Sequence, residues 1–203
     1  MALELRPLCK KDYKQALRFA VVGMHFQNYT DQPLALQLYG RYFLYTELSR
    51  ATEVLAAYEN GRLSGVLMAS FTGAPTPYRS VWKTLYIKAF DILQRLFAKK
   101  GVSAYEAANQ ALYAAYRQRR QPDGEITFLA ADPLCQGQGV GSFLLKALAR
   151  RHPGRTVYLY TDDACTYMFY ERRGFERAGE TRITMQLGRK TVPLRCFLYS
   201  KTL

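Results

Sequence analysis

Apolar positions recur along the chain with two periods, about two residues in some stretches and about 3.6 in others, and the switches between them divide it into strands and helices. Residues 4–8 alternate as a short strand. Residues 10 to about 27 carry Ala16, Phe19, Ala20 and Met24 on one helical face. Beyond the turn cluster Asn28-Tyr-Thr-Asp-Gln-Pro33, residues 34–50 read as a second helix rich in leucine and tyrosine. Residues 53–58 and 63–71 are strands joined across Glu59-Asn60-Gly61-Arg62, because Asn-Gly supplies the positive φ values of a tight hairpin turn. Prolines and glycine at 72–77 break the pattern. Trp82, Tyr86, Ala89, Phe90, Leu93 and Phe97 then make one helical stripe, Gly101 stops it, and Ser103-x-x-Glu106 is a capping box for a helix to about Arg117. Residues 128–131 form a short apolar run ended by Pro133, and Val140, Phe143, Leu144, Ala147 and Leu148 recur at helical spacing. Val157-Tyr-Leu-Tyr160 is a further strand, residues 162–173 have helical spacing, and residues 182–187 and 192–199 pair across Gly188-Arg-Lys190.

With 203 residues, 49% of them apolar, the chain has the material for one domain over residues 1–203 with a sizeable core. Lysine and arginine number 29 against 16 acidic residues, and the net charge of +13 attracts anions. A nucleic-acid-binding module would use such a charge. The cations are nevertheless dispersed, with dense clusters at Arg117-Gln-Arg-Arg120 and Arg150-Arg151, so most read as a solvated surface and nucleic acid is not the favoured partner. Cys9, Cys135, Cys165 and Cys196 have no C-x-x-C spacing, and the chain opens at Met1 with no charged-then-apolar leader. Reduced thiols and a cytoplasmic location are expected. Only His25 and His152 supplement the cysteines, so no metal site is expected, and Cys135 has no recognisable base partner as a nucleophile. Arg18, Lys83, Lys88, Asp91 and Arg95 interrupt the longest apolar stretches, which excludes membrane spans there.

The glycines at 137–141 carry the chemistry. A strand, a glycine-rich loop and a helix in that order bring unpaired N–H groups and the positive end of a helix dipole together, and glycine lets a phosphate approach the backbone. A Walker A loop needs a lysine before its serine, which residues 137–142 lack. A dinucleotide fingerprint wants its glycines directly after the strand, but residues 132–135 intervene and Ser142 stands at the third glycine. The remaining pattern is Gln-x-x-Gly-x-Gly at Gln136, Gly139 and Gly141. It resembles the acyl-CoA pyrophosphate loop of the GNAT superfamily of N-acetyltransferases. Tyr170-Glu-Arg-Arg-Gly174-Phe175, following a strand at the usual distance, resembles the family's Tyr-x3-Gly-Phe signature. The resemblance covers roughly residues 124–178, and the element order β-α-α-β-β-(αα)-β-α-β-α-β-β is similar to that family's with one insertion.

The resemblance implies an α+β fold: a central, mostly antiparallel sheet of about seven strands flanked by helices, with a helical-hairpin insert at about 76–122. Extra core cover, a lid over the acceptor, or a homodimer surface would each use the insert's apolar face. It also implies acetyl-CoA, or coenzyme A, held by Gln136, Gly137, Gln138, Gly139, Val140, Gly141 and Ser142, mainly through backbone N–H groups. Leu129, Ala130 and Ala131 would turn backbone donors toward the pantetheine and thioester. Tyr170 matches the family tyrosine that protonates the departing thiolate, and Glu125 matches the glutamate that activates the amine in the histone-acetylating branch. Water-mediated proton removal competes with that role. Two departures stand out: Gln138 is neutral where many members carry a cation, and Asp163 replaces a cofactor-contacting asparagine. The acceptor, a small-molecule or peptide amine, would be chosen around residues 25–45, where Tyr29, Asp31, Tyr39 and Tyr42 offer aromatic and acidic groups. The function expected is acetyl transfer to a primary amine in a ternary complex. A non-catalytic acyl-CoA sensor on the same fold remains an alternative.

Overall fold

Residues 2–24, 32–97, 104–135, 137–187 and 190–203 are described by the computed structural model. Seven strands hydrogen-bond in the order β1-β2-β3-β4-β5-β7-β6: β1 Leu3–Arg6, β2 Glu53–Glu59, β3 Arg62–Phe71, β4 Gly124–Ala131, β5 Thr156–Asp162, β6 Glu176–Leu187 and β7 Lys190–Thr202. The described helices are α1 Tyr13–Gly23, α2 Pro33–Arg50, α3 Val81–Phe97, α4 Ala104–Arg117, α5 Val140–Arg151 and α6 Met168–Glu171. This is the mixed α+β architecture expected, and β4 and β5 form its parallel pair, with Gly124 opposite Val157 and Glu125 opposite Tyr158. The chain divides into two compact units, Met1–Lys99 with Ile126–Arg151, and Lys100–Glu125 with His152–Leu203.

In the first unit the Asn60-Gly61 turn has φ of 50° and 75° and closes β2 onto β3 as its dipeptide requires. Period-two alternation gives the strands two apolar faces. Val54, Ala56, Val66 and Met68 join Ala16, Phe19 and Ala20 of α1, Leu44 and Leu48 of α2, and Phe128 of β4 in one core. The opposite face receives α5, where Gly65 leaves room for Val140 and Leu144. A Cβ at Gly65 would lie 2.5 Å from Val140 Cγ1 and 3.2 Å from the Ala130 carbonyl oxygen, so a missing methyl sets how closely α5 approaches β3. Outside α2 lies α3, with Phe90 stacked on Tyr42 at 4.6 Å and the Tyr42 hydroxyl donating to Asp91 Oδ1 at 2.7 Å.

In the second unit β7 lies between β5 and β6, antiparallel to both. Ala108, Leu112 and Tyr116 of α4 are buried against Tyr158, Cys196 and Leu198, and the Tyr116 hydroxyl meets Ser200 Oγ at 2.6 Å. The α4 half of the anticipated insert is therefore core cover.

Several boundaries differ from those read in the sequence. The first strand stops at Arg6, since Pro7 has no N–H to extend a ladder. The helix anticipated over 162–173 is confined to Met168–Glu171, because Asp162 Oδ1 accepts the N–H groups of Ala164 and Cys165 and holds the chain in a turn. β6 begins at Glu176, ahead of the anticipated 182, where mixed polar and charged residues conceal the alternation. Trp82 and Leu93, read as part of one apolar stripe with Tyr86 and Phe90, are exposed. Residues 25–31, Gly101, Ser103 and the 188–189 turn lie outside the described residues.

Gly65→Ala should destabilise the protein by about 1–3 kcal/mol in urea unfolding, the usual range for overpacking. Adding Val140→Ala should recover part of the loss. Equal stability of Gly65→Ala and the parent would show that α5 is not fixed by this contact.

Candidate active site

β4 alternates along its length, with Ile126, Phe128 and Ala130 buried and Glu125, Thr127, Leu129 and Ala131 half-buried. Where it ends, the Asp132 N–H donates to the Ser64 carbonyl at 2.8 Å, and Pro133 then stops the strand. Asp132 is 1% exposed. Its Oδ1 accepts the Leu134 N–H at 3.1 Å, and its carbonyl accepts the Cys135 N–H at 2.8 Å, folding residues 133–135 into a 3-10 turn. Its Oδ2 faces Gln15 Nε2 at 3.4 Å, Arg62 at 3.2 Å and Arg18 at 3.5 Å. Gln15 Nε2 also donates to the Leu63 carbonyl at 2.7 Å. One carboxylate thus ties the start of the loop to α1 and β3.

From this root the chain passes Gly137 and Gly139, whose φ values of 82° and 80° lie in the left-handed region that favours glycine. An added Cβ would meet nothing within 4 Å at either position, so backbone conformation selects glycine and the space beside it is open. The Phe143 N–H donates to the Gly139 carbonyl at 2.9 Å, which makes Gly139 the N-cap of α5. The N–H groups of Val140 and Gly141 consequently stand ahead of the first intrahelical bond, at the positive end of a 12-residue helix. This cradle fits a phosphate. Leu129, Ala130, Ala131, Gly137, Gln138, Gly139, Val140, Gly141 and Ser142 lie on one continuous strand–loop–helix segment, and Gln136 lies outside the described residues.

Tyr170 and Glu125 belong to the second unit, each with its own supports. The Tyr-x3-Gly-Phe spacing is the geometry of a helix end. Gly174 has φ of 73°, its N–H donates to the Glu171 carbonyl at 3.0 Å, and the Phe175 N–H returns to the Tyr170 carbonyl at 3.1 Å. Buried Phe175 then meets the Tyr170 ring edge-on at 5.5 Å, while Tyr199 stacks on it at 6.2 Å. The residue is half-buried against these rings. That burial, with a smaller contribution from Cys165, pushes the pKa well above the ordinary tyrosine value. Among the described residues, its hydroxyl has no hydrogen-bond partner. Glu125 accepts a hydrogen bond from the Tyr158 hydroxyl at 3.3 Å. Tyr158 is itself packed against Tyr113 at 4.7 Å and Tyr160 at 5.5 Å, and its pKa is raised by burial and then by the Glu125 charge.

Asp163 is committed elsewhere. Its Oδ1 accepts the Arg195 N–H at 2.9 Å and its Oδ2 pairs with the Arg195 guanidinium at 3.0 Å, which hold its pKa low. The acid that replaces the expected asparagine is a clamp between β5 and β7. Tyr42 is likewise engaged with Asp91, its pKa pushed up to about 12 by burial and then by that hydrogen bond, and Tyr39 packs near it at 6.1 Å. Tyr29 and Asp31 lie outside the described residues. No group of three metal-ligating side chains occurs among the described residues. Sequence reading missed Gln15, Arg18, Arg62 and the anchoring role of Asp132. An aspartate before proline at a strand end signals the turn, but its partners are distant in sequence.

Residues 98–177 match the family model of the acetyltransferase (GNAT) domain, a span containing both the glycine loop and the Tyr170 motif. Over that span the sequence is similar to a GNAT acetyltransferase domain. Its fold is similar to that of a histone acetyltransferase HPA2-related acetyltransferase from Corynebacterium glutamicum, at TM-score 0.59 and 17% identity, covering 98% of this chain and 96% of the other. Agmatine N-acetyltransferase in an apo variant form gives TM-score 0.59 at 14% identity, covering 98% and 99%. An N-acetyltransferase from Staphylococcus aureus gives 0.53 at 15%, covering 100% and 99%. At these identities the likeness concerns the fold. Comparison with curated protein sequences finds no match.

Asp132→Ala removes the carboxylate at the root of the glycine loop. It should lower stability by about 2–4 kcal/mol, below the full cost of breaking a buried pair because both arginines are half-exposed. Coenzyme A affinity measured on the folded variant should fall at least tenfold. Unchanged affinity would show that the loop keeps its shape without this anchor.

Proposed function

We propose that the chain is an N-acetyltransferase that moves an acetyl group from acetyl-CoA to a primary amine by direct transfer in a ternary complex. The observation that carries this reading is the open cradle at the head of α5, formed by Gly137 and Gly139 with positive φ and the leading N–H groups of Val140 and Gly141. Backbone donors there suit a diphosphate, and the half-exposed guanidiniums of Arg18 and Arg62 supply the cations that Gln138 does not. Leu129, Ala130 and Ala131 lead into this cradle and contribute backbone donors for the thioester.

The transfer forms a C–N bond at the acetyl carbonyl and breaks the C–S bond. Glu125, held by Tyr158, accepts the proton that the amine must lose. Tyr170 gives its proton to the thiolate. Its raised pKa suits the task, because the proton-donating form is present at neutral pH and is lost only as pH rises through the elevated value. The unpartnered hydroxyl also favours an enzyme over a non-catalytic acyl-CoA sensor, which has no need of a proton donor. The acceptor is a small-molecule or peptide amine. A reducing, cytoplasmic setting suits the chain's four scattered cysteines.

Tyr170→Phe should lower kcat by about 10²–10⁴-fold, the usual contribution of general acid catalysis. Calorimetric affinity for acetyl-CoA should stay within twofold. In the parent, the alkaline limb of kcat assigned to this acid should lie above pH ~10, the ordinary tyrosine value. Full turnover in Tyr170→Phe would remove the residue from the mechanism, and loss of binding with turnover would make its role structural.

A further inference from the structure

The acetyl-transfer steps proposed above do not use the outer face of α3. Tyr86 and Phe90 turn inward to α2, where the Tyr86 hydroxyl also donates to the Leu38 carbonyl at 3.1 Å. Val81 and Trp82 are each 80% exposed, and Leu85, Ile92 and Leu93 continue the exposed stripe at helical spacing. Trp82 is the chain's one tryptophan. A large, contiguous apolar stripe is costly in water unless something covers it.

Charge decides what the cover is. At the N-terminal end of α3 lies an open groove of about 570 Å³, in which the cations Arg79 and Lys88 and the hydroxyls of Thr76, Ser80 and Thr84 lie beside Val81 and Leu85. The helix has a single acid, Asp91, and that carboxylate is engaged inward by Tyr42. Lys83 also turns inward, donating to the Tyr78 carbonyl. The outer face therefore presents apolar side chains and cations. A second copy of the chain would bring its own charge of +13, which opposes the pairing of two cationic faces. An occupant that is apolar within and anionic at its surface satisfies both features.

We propose that this face of α3 docks on an anionic phospholipid surface. Trp82, Val81, Leu85 and Ile92 enter the interfacial layer, and Arg79 and Lys88 meet lipid phosphates. The helix lies on the bilayer, and no described helix is long and apolar enough to cross one. Tryptophan favours that depth, and cations near the surface add attraction to anionic lipid. This inference is independent of the acetyltransferase reading.

The test mixes the purified full chain with phosphatidylcholine vesicles prepared with and without phosphatidylglycerol. Sedimentation and Trp82 fluorescence are followed together. With phosphatidylglycerol, the protein should sediment with the vesicles and Trp82 emission should move to shorter wavelength, both effects weakening as salt is raised. An Arg79→Glu/Lys88→Glu variant should bind at least roughly tenfold more weakly, since each cation near the surface contributes to the attraction. Leu85→Asp should lose binding as well, and circular dichroism should show both variants folded. Absence of sedimentation with anionic vesicles would overturn the proposal. So would a Trp82 shift that follows protein concentration without lipid, which would assign the face to a second copy, or binding to RNA with none to vesicles.

Discussion

A carboxylate buried at the end of a strand governs the geometry that follows it. Asp132 gathers Gln15, Arg18 and Arg62 on one oxygen and the N–H of Leu134 on the other. Without those contacts the chain leaving β4 would have no reason to enter the 3-10 turn at this angle, and Gly137 and Gly139 would present their backbone elsewhere. A buried charge is costly when unpaired, so its four neighbours form a matched set. Gly65 acts at the other end of the same segment by letting Val140 approach β3, and the two contacts fix the start and the finish of the loop.

The proposed chemistry draws on two kinds of group. Backbone N–H donors at the head of α5 leave little side-chain signature, because any residue supplies them once the turn is set. Proton transfer needs particular side chains, and each candidate is held in place by its packing. Enclosure by Phe175 and Tyr199 keeps Tyr170 protonated, while Tyr158 orients Glu125. Asp163, which stands in place of the expected asparagine, is occupied by Arg195. Asp163, one of the two departures from the expected pattern, is thus paired with an arginine that neither motif contains.

The parts of this arrangement legible in the sequence were local. Asn60-Gly61 specifies its own turn, the glycine spacing specifies a loop, and Tyr-x3-Gly-Phe is a helix end whose hydrogen bonds close within six residues. What escaped reading depends on distant partners. Nothing near Asp132 reveals that Gln15 and Arg62 will reach it, and helical spacing over 162–173 hides the competing turn that Asp162 makes with its own backbone. The apolar stripe of 82–97 was visible as a stripe, but periodicity cannot say which neighbour covers it. The structure gives Tyr86 and Phe90 to α2 and leaves Trp82 in water.

The proposed function requires the loop rooted at Asp132 to bind the diphosphate of acetyl-CoA. Calorimetric titration of the purified protein with acetyl-CoA tests it before any acceptor is known. Saturable binding at one site per chain with micromolar affinity, competed by coenzyme A, is expected. No detectable heat, together with no protection of the protein by coenzyme A against thermal unfolding, would contradict it.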